Sequence, residues 1–566
     1  MNKCIQWIFI FISIFPAICF AEDFHESRQW LNLLYYEKTG TTYKSIADDS
    51  RFFVSPSGKT NPEQEYDVSL KLVRENNQDF KRRFPLRYKR ITEYHNLTYD
   101  PVVTPNHDIT SALIAFPNRY MGNPSSMFGH LFIILKSKHG LMDSDILHYL
   151  ADTAGSDQYA YILNGLTGHF KGFFLREPFY KKIKDYNYVE DRDITYYDLA
   201  LSISQIQDLQ LHAIELKQSY FDYYFLDENC AFFMGKLLNV VTEKDIVSRS
   251  TFIFPSQIIN TLHQQGLLTE EYKRKSSTKL FNNSFHQLSE NDQKEVVSML
   301  LTPTDTPPTD PNILKTFLYI TEYLINNQSQ LAQTIRHNRI QAYQHLEKTN
   351  QSRVRSLLYK QEQVTPIASQ AWNAGYGFFS QGNMAYHPIY YSDTDTFDTL
   401  EVKKLNILSS QVVLSSDQAA LATLTLVDIA NIAPYNDILA TYSWKLNSLV
   451  AYRNALFSNH SFELGQAHRI WKEGLVFGFL GFNYSNYNLL LDEELDALRL
   501  TPSITLGIEN PIIPGILNTR AAYDYKFGHH YISGTLALKI FHLFPELTYI
   551  QSNNRQGLRI SIRGTF

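Results

Sequence analysis

The spacing of hydrophobic and polar residues changes character along the chain. As far as about residue 365, apolar residues mostly recur at helical spacing, and a few short apolar runs are typical of strands. From residue 366 onward, apolar and polar residues alternate in short runs separated by Asn, Asp, Gly and His, as in residues 474–482 and 557–566. The pattern predicts a multidomain chain with a helical segment at 22–98, an α+β segment at 99–247, a helical spacer at 248–365 and an antiparallel β-barrel-like domain at 366–566.

The first residues have the pattern of a secretory signal peptide ending at Ala21. Lys3 supplies the positive start, residues 5–18 are almost wholly apolar, and Ala21 is a small residue suited to signal-peptidase cleavage. A lipoprotein signal that uses Cys19 is disfavoured, because Ile18 stands where a small residue is expected. We therefore expect an exported chain whose signal is removed.

The composition narrows the function classes. Lys and Arg total 52 against 57 Asp and Glu, so the net charge of -5 leaves no basic surplus, and nucleic acid is not an expected partner. Of three cysteines, Cys4 and Cys19 lie in the expected signal, which leaves Cys230 alone. One cysteine forms no internal disulfide, so a nucleophile is the chemical role to consider. Outside the signal, no stretch reaches the roughly 18 apolar residues of a membrane helix, so residues 317–325 are expected in a core helix.

A predicted hairpin carries the candidate base. Residues 131–135 and 146–150 are apolar runs with strand character, joined by a more polar stretch. With the turn centred between them, Asp152 lies opposite His130, and side chains directly opposite share a face of the sheet. Asp152 would then hold the His130 imidazole in one tautomer. His148 lies on the same face and takes that place if the register slips.

Cys230 is expected at the start of a helix. An aromatic stretch at 220–224 leads to Asn229, and apolar residues then recur at helical spacing. The unpaired N–H groups at a helix N-terminus stabilise a thiolate, so we expect a thiol pKa below the free value of roughly 8.5. The same N–H groups are placed to bind an oxyanion. The alternative is that Cys230 is a buried, inert small hydrophobe.

A charged cluster lies between the candidate base and the candidate nucleophile. Residues 190–193 place three acidic residues around Arg192, directly before a strand-like run at 194–199. Such a cluster is also typical of a solvated turn, and that interpretation stays open beside a role in the site. Residues 201–216, which follow, have the pattern of an amphipathic helix.

Four motifs in a fixed order indicate a family. They are residues 124–132, which contain Gly129 and His130, residues 168–174, residues 190–193, and residues 224–230, which end in Asn229 and Cys230. In order and spacing they resemble the bacterial family of the Lnb N-terminal periplasmic domain. The order of histidine before Asn-Cys also resembles circularly permuted, NlpC-type papain-like proteins and lecithin:retinol acyltransferase. The resemblance implies a papain-like α+β fold and a cysteine that takes up an acyl group as a thioester, as in the intramolecular transacylation of lipoproteins.

Carried over residue by residue, the resemblance makes Cys230 the nucleophile and His130 its general base. The other matching positions are Ser126, Asn229, Glu190 and Arg192. The first two are candidates for donating to an oxyanion or for shaping the turn before the nucleophile, and the last two are a candidate structural ion pair. The resemblance calls for no metal or other cofactor.

The alternating runs of 366–566 are typical of a membrane barrel. They number roughly a dozen, each about ten residues long, which is enough to cross an outer membrane as a closed barrel. In the last run, Leu558, Ile560 and Ile562 face one way, and Phe566 after them resembles the closing strand of bacterial outer-membrane barrels. A soluble β-sandwich or barrel uses the same alternation and is the alternative.

Together these features predict cysteine-dependent acyl transfer on a lipid or lipoprotein in the periplasm, beside an outer membrane that the barrel contacts. A cysteine hydrolase of cell-wall peptide or ester bonds would use the same residues. A non-enzymatic outer-membrane barrel or assembly protein with a degenerate papain-like domain is the third possibility. The C-terminal region departs from the family pattern, so the substrate is the least constrained part of this prediction.

Overall fold

The architecture is that of a computed structural model, and its described part excludes several segments. The described residues are 23–118, 120, 126, 129–155, 158–247, 253–327, 330–348, 371–379, 384–387, 391–394, 402–414, 421–435, 442–452, 456–470, 474–488, 493–513, 517–526, 529–538, 540, 543–552 and 556–565. The expected signal peptide and most of residues 119–128 therefore lie outside the described residues.

The N-terminal segment is helical, as predicted, with a small hairpin added. Its elements are α1 (Arg28–Leu33), β1 (Tyr36–Thr39), β2 (Thr42–Ser45), α2 (Pro62–Arg74), α3 (Gln78–Arg83) and α4 (Pro85–Tyr94). The Asn61 side chain accepts a hydrogen bond from the Gln64 amide, and Pro62 occupies the first turn of α2, which together fix where that helix begins.

The second segment is built on a seven-stranded antiparallel sheet. Its strands are β3 (Ile109–Pro117), β4 (Phe132–Ser137), β5 (Gly140–Ala151), β6 (Phe170–Pro178), β7 (Ile194–Leu199), β8 (Tyr220–Tyr223) and β9 (Leu268–Arg274), in the order β8-β6-β5-β4-β3-β7-β9. Its helices are α5 (Gln158–Thr167), α6 (Phe179–Ile183), α7 (Ile203–Leu216), α8 (Cys230–Thr242) and α9 (Pro255–Gln264), and a π-helical turn spans Lys184–Val189. The α+β character expected for this segment is thus present. However, α9 and β9 lie after residue 247, in the range expected to be a helical spacer, and β9 joins the sheet by pairing with β7.

Alternating residues of β4 serve two separate cores. Ile133 packs in the core that contains Phe233 of α8, whereas Phe132 and Ile134 pack with Tyr186 of the π-helical turn. Since successive strand residues point to opposite faces, α8 and the π-helical turn lie on opposite sides of the sheet. The residues that precede β4 are therefore within reach of both layers.

The hairpin of β4 and β5 has a tighter turn than expected. Ile133 opposes Leu147, a register two residues away from the predicted one. The Ser137 amide donates to the Ser144 hydroxyl at 3.0 Å, so polar residues expected in a loop are instead part of the strand. The expected pairing that placed Asp152 opposite the candidate base is wrong for this reason.

The N-terminal segment covers the open edge of the sheet at β8. The Asp49 amide donates to the Tyr220 carbonyl at 3.2 Å, and the Asp48 carboxylate accepts from the Asp222 amide at 2.8 Å. An uncovered strand edge is prone to pair with other chains, so this segment completes the sheet.

A buried ionic network joins the same two segments. Arg87 of α4 lies 3.2 Å from the Glu65 carboxylate, and its amide donates to Glu215 of α7 at 2.8 Å. His212 contacts Glu215 at 3.0 Å on one ring nitrogen and the Tyr35 hydroxyl at 3.0 Å on the other. All five side chains are buried. One hydrophobic core runs through both segments, from Trp30 and Leu86 to Phe233.

The helical spacer has its own core and is tied to the sheet. It contains α10 (Ser277–Phe285), α11 (Glu290–Leu301), α12 (Pro311–Asn327) and α13 (Ala332–Lys348). Phe317 is buried in this core, as predicted for a core helix. Lys279 of α10 pairs with Asp193 at 3.2 Å, and the Asn327 side chain donates to the Tyr188 carbonyl at 3.2 Å. None of the helices that the structure describes combines the length and apolar character of a membrane span.

The C-terminal region forms one curled antiparallel sheet. Its strands are β10 (Ala371–Phe379), β11 (Met384–His387), β12 (Tyr391–Thr394), β13 (Val402–Leu414), β14 (Leu421–Ile432), β15 (Ser443–Tyr452), β16 (Leu456–Arg469), β17 (Leu475–Asn488), β18 (Glu493–Ile513), β19 (Leu517–Lys526), β20 (His529–Leu538), β21 (Leu543–Ser552) and β22 (Gln556–Thr565). The order is β11-β10-β22-β21-β20-β19-β18-β17-β16-β15-β14-β13-β12, and β11 also pairs with β13, so the sheet curls until its ends meet.

The two faces of this sheet differ in polarity. Along β18, Ile504 and Leu506 are exposed, whereas Ser503 and Thr505 between them are buried. Glu463 on β16 is also buried, and its carboxylate accepts a hydrogen bond from Thr505 at 2.9 Å. The exposed face of β18 is therefore apolar, as on the outside of a membrane barrel. The buried face of the sheet is mixed, because Phe477 and Phe479 of β17 lie in a buried apolar cluster.

Candidate functional site

Asn229 fixes the turn that delivers Cys230 to the first position of α8, as the sequence predicts. Its side-chain oxygen accepts from the amides of Ala231 at 2.9 Å and Phe232 at 3.3 Å. Its side-chain nitrogen donates to the carbonyls of Phe225 at 3.1 Å and Ile253 at 2.7 Å. The amide group is therefore fully used within the turn.

The Cys230 thiol is buried and surrounded by hydrogen-bond donors. The backbone amides of Leu131 and Ala231 lie close enough to the sulfur to lower the pKa of the thiol. These donors and the positive charge of Arg192 favour the thiolate, but burial outweighs them and raises the pKa of the Cys230 thiol to about 11. The expectation of a lowered pKa is therefore wrong for this structure, because the sequence does not reveal how deeply the helix N-terminus is buried.

Tyr223 is a site residue that sequence reasoning missed. Burial raises the pKa of its phenol well above the ordinary value, and the neighbouring Cys230 thiol raises it further. The Tyr223 ring stacks on Tyr149 with centroids 5.4 Å apart. The aromatic stretch at 220–224 was the available signal, but it was interpreted only as leading to the turn before Cys230.

His130 lies between Pro117 and the Tyr186 ring. Its amide donates to the Pro117 carbonyl at 3.3 Å, and its ring lies 6.0 Å from the Tyr186 ring. Burial, followed by the charges of His148, Arg192 and Lys182, holds the pKa of His130 well below its ordinary value, so the imidazole is neutral at neutral pH. Among the described residues, no hydrogen bond joins this ring to the thiol, and the Nε2 atom is buried without a hydrogen-bond partner.

His148, not Asp152, is the polar neighbour of His130. The two rings are 6.4 Å apart in a T-shaped arrangement, and His148 Nε2 lies 3.1 Å from the Glu177 carboxylate. Burial lowers the pKa of His148 to about 4; Lys182 acts in the same direction, and Glu177 opposes it. Sequence reasoning missed Glu177, because the contact depends on the register of β5 and β6, in which the neighbouring Ile146 faces Glu177.

Asp152 makes its hydrogen bonds with Lys171 and Ala154, not with His130. Asp152 is exposed at the end of β5, where its amide donates to the Lys171 carbonyl at 2.8 Å. Its carboxylate accepts from the Ala154 amide at 3.2 Å. The structure thus places Asp152 in a surface turn.

Arg192 holds the backbone at Pro117, whose carbonyl also accepts the hydrogen bond from the His130 amide. Its guanidinium donates to the carbonyls of Pro117 at 3.0 Å and Asn118, and it lies 2.8 Å from the Glu190 carboxylate. Arg192 is buried, and its guanidinium lies over the Tyr186 ring at 4.8 Å. The solvated-turn interpretation of residues 190–193 is therefore wrong.

Ser126 and Gly129 shape the approach to His130. The Ser126 carbonyl accepts from the amides of Tyr120 at 2.9 Å and Gly129 at 3.1 Å. Gly129 has a φ of 87°, and a Cβ atom there would lie 2.4 Å from the Phe116 ring. Only glycine fits this position. The remaining motif residues, 121–125, 127 and 128, lie outside the described residues.

Within the described ranges, no group of three or more His, Cys, Asp or Glu side chains is arranged to hold a metal ion. The chemistry available at this site is that of a thiol, two histidines, a phenol and backbone amides.

Two family models match parts of the chain. Residues 99–265 match the model of the Lnb N-terminal periplasmic domain, and residues 22–94 match a domain of unknown function, DUF7843. No curated protein sequence matches the chain.

Three solved structures are similar to the C-terminal part. KdgM porin in complex with disordered oligogalacturonate is 12% identical, covering 35% of this chain and 99% of that chain, with a TM-score of 0.24. NanC porin is 8% identical with the same coverage and a TM-score of 0.24. OccK2 (OpdF) of Pseudomonas aeruginosa is 9% identical, covering 34% of this chain and 95% of that chain, with a TM-score of 0.15.

Proposed function

Residues 99–265 are an Lnb N-terminal periplasmic domain, and from this we propose that the chain performs cysteine-dependent acyl transfer on lipid or lipoprotein substrates through a thioester acyl-enzyme. The observation that carries the proposal is the placement of Cys230 at the first position of α8, with two backbone amides and a phenol hydroxyl around its sulfur. Such donors are arranged for a nucleophile whose reaction develops negative charge.

In the first step, the thiol proton passes to a ring nitrogen of His130 while the sulfur attacks the ester carbonyl. The C–O bond breaks, and the departing alkoxide takes the proton from His130. In the second step, an amine attacks the thioester and gives up a proton to His130, the C–S bond breaks, and the sulfur is reprotonated. Because the pKa of the thiol is raised and that of His130 is lowered, a neutral thiol and a neutral base are the starting pair.

The resting structure requires one movement for this chemistry. The Leu131 amide lies close enough to the Cys230 sulfur to lower the pKa of the thiol, and the candidate base is the residue directly before Leu131. A change in the His130 side-chain torsions brings its ring toward the sulfur without displacing β4. In this proposal, substrate binding favours that rotamer.

Backbone amides supply the oxyanion site in this proposal. The amides of Leu131 and Ala231 already point at the sulfur, next to where the carbonyl oxygen of a bound ester would lie. Asn229 is assigned to shaping the turn, because both ends of its side-chain amide are occupied. Ser126 is assigned to the same structural task through its carbonyl, which accepts two hydrogen bonds.

His148 is the better candidate than Asp152 for orienting His130. Its ring borders the His130 ring, and Glu177 lies 3.1 Å from its Nε2 atom. Arg192, paired with Glu190, is proposed to act indirectly, by holding the Pro117 carbonyl to which the His130 amide donates.

The polarity of the C-terminal sheet supports a place in the outer membrane. Its exposed outer face carries large apolar residues such as Leu480 and Phe482, and its interior carries Glu463 and Thr505. Most of its strands are ten or more residues long, which suits a bilayer-spanning barrel. This arrangement would keep the thiol domain on the periplasmic side, beside membrane lipids and lipoproteins.

Trapping the acyl-enzyme tests the proposal. The full chain is mixed with a diacylated lipopeptide, quenched in acid and analysed by intact-protein mass spectrometry. We expect a mass increase of one acyl chain, located on Cys230 and released by hydroxylamine, and no increase in Cys230→Ala. An adduct that persists in Cys230→Ala would refute the nucleophile assignment.

The raised thiol pKa favours one alternative, a non-enzymatic envelope protein with an inert cysteine. Iodoacetamide treatment of the folded chain near pH 7.5, with substrate present and absent, separates the two. Alkylation of Cys230 that substrate suppresses supports an enzyme, whereas an unreactive thiol under both conditions supports the inert protein. A hydrolase is recognised by transfer of the acyl group to water alone.

A further inference from the structure

Helix α5 presents an apolar outer surface beside the turn that leads to Cys230. The helix contains no charged residue, and the side chains of Leu163 and Leu166 are 62% and 50% exposed. Residues three apart lie on the same side of a helix, so the two leucines form one ridge.

The opposite side of α5 is packed against the nucleophile turn. The Phe225 amide donates to the Gly165 carbonyl at 2.7 Å, and a Cβ atom at Gly165 would lie 2.2 Å from the Phe225 ring. The Tyr161 ring lies 5.3 Å from the Phe225 ring, and its hydroxyl is close enough to Tyr223 to raise the pKa of that phenol. The ridge is thus only one helix diameter away from the residues around the thiol.

We infer that the ridge of Leu163 and Leu166 docks on a lipid bilayer and seats the Cys230 site at the membrane surface. An apolar helix with one side packed and the other exposed leaves hydrophobic area uncovered, and a bilayer interface is a surface that covers such an area. A bilayer is the surface we expect near this helix, because the apolar exterior of the curled C-terminal sheet suits insertion into a membrane. The inference rests on the proposed function for its substrate, but not for the membrane contact itself.

Ile203 offers a matched control for the ridge. It is 53% exposed at the first position of α7, so its exposure resembles that of the two leucines. The Gln205 side chain, one turn from the start of α7, donates to the Val241 carbonyl at 3.0 Å, which places this region at the far end of α8 from the thiol. A polar residue at position 203 therefore removes a similar exposed apolar side chain, but far from the thiol.

A fluorescence measurement tests the membrane contact without any reaction. Cys4, Cys19 and Cys230 are replaced by serine, and an environment-sensitive NBD label is attached to the full chain at Leu166→Cys or Ile203→Cys. After reconstitution into vesicles of phosphatidylethanolamine and phosphatidylglycerol, we expect blue-shifted emission and quenching by a shallow spin-labelled lipid at position 166 only. Equal accessibility of both positions to an aqueous quencher would overturn the inference.

A kinetic measurement tests the consequence for the site. Leu163→Gln/Leu166→Gln should lower the ratio of turnover on a vesicle-borne diacyl lipid to turnover on a water-soluble short-chain ester by at least about tenfold. Ile203→Gln should keep the ratio of the unaltered chain. An unchanged ratio in the double variant overturns the inference while leaving the proposed chemistry intact. Absence of turnover on both substrates in the unaltered chain would refute the proposed function, and the fluorescence result would still decide the membrane contact.

Discussion

At the scale of single residues, two opposing effects act on the Cys230 sulfur. Backbone amides and the start of α8 favour the thiolate, while burial favours the neutral thiol and sets the net direction. The thiol is therefore protonated at neutral pH. Tyr223 is a second titratable group beside the sulfur, because Cys230 acts together with burial to raise the pKa of its phenol.

Tyr223→Phe removes one hydrogen-bond donor from the sulfur. A hydrogen bond worth about 1 kcal/mol corresponds to a rise of roughly 0.7 unit in the thiol pKa, hence about fivefold less thiolate at a fixed pH. We expect the rate of iodoacetamide alkylation, measured between pH 7 and 10, to fall by that factor. Tyr149→Phe is the control, since the Tyr149 hydroxyl donates to the Phe221 carbonyl instead. Identical pH profiles for Tyr223→Phe and the unaltered chain would contradict this role.

His148 predicts a loss of stability in acid. Burial lowers the pKa of His148 to about 4, so between the ordinary value near 6.5 and pH 4 the unfolded chain binds a proton that the folded chain does not. Above pH 6.5 this group does not affect the free energy of unfolding. As the pH drops from 6.5 to 4, the free energy of unfolding falls by up to about 3 kcal/mol, and below pH 4 it falls no further on account of this group.

Urea unfolding at pH 7 and pH 4.5 measures this effect. His148→Asn should lose less free energy of unfolding between the two pH values than the unaltered chain. His139→Asn, an exposed position in the same hairpin, should behave like the unaltered chain. Equal losses in all three proteins would show that His148 takes up its proton freely in the folded state.

At the scale of elements, the sequence predicts those whose patterning is local. α8 begins at Cys230 as expected, because Asn229 caps it and apolar residues follow at helical spacing. β9 was not predicted, because its sequence, LTEEYKR, is too polar to suggest a strand. The strand forms by pairing with β7, which is distant along the chain. The contact of His148 with Glu177 also escaped prediction, because it depends on the register of β5 and β6, which α5 separates along the chain.

Arg87 links α4 to α7 through charges that are wholly buried. Arg87→Met leaves the carboxylates of Glu65 and Glu215 without their cation, and removing one partner of a buried pair costs about 3–5 kcal/mol. We expect this loss in chemical unfolding, with the N-terminal segment and the sheet still unfolding in one transition, since they share a core. Arg83→Met, in the neighbouring helix, should cost under about 1 kcal/mol. A small effect at Arg87 would contradict the buried network.

At the scale of the whole molecule, the chain joins an Lnb N-terminal periplasmic domain to a curled antiparallel sheet. The alternation of polar and apolar residues predicted the second part as an antiparallel curled sheet, and the residue pattern of β18 shows which face is apolar. The alternation could not establish closure, because the pairing of β11 with β13 joins strands at opposite ends of the sheet order.

Leu480→Arg tests the membrane face. Leu480 is 66% exposed near the middle of β17, so an arginine there would face the bilayer midplane at a cost of about 2–4 kcal/mol. We expect reduced assembly in vesicles, measured as loss of the heat-modifiable folded band on gels. Leu456→Arg, exposed at the start of β16, should assemble nearly as well, because charge near the interface costs only about 0–1 kcal/mol. Equal assembly of both variants would point to a sheet in water.

The most direct test of the central claim is to determine where the acyl chains are attached at the N-terminus of a lipoprotein. A reporter lipoprotein is co-expressed with the full chain or with its Cys230→Ala variant, and its N-terminal lipopeptide is analysed by tandem mass spectrometry. The account predicts an acyl chain moved from the diacylglyceryl group to the N-terminal amine with the intact chain and no such transfer with Cys230→Ala. Identical lipopeptides in the two strains would contradict lipoprotein transacylation by this thiol.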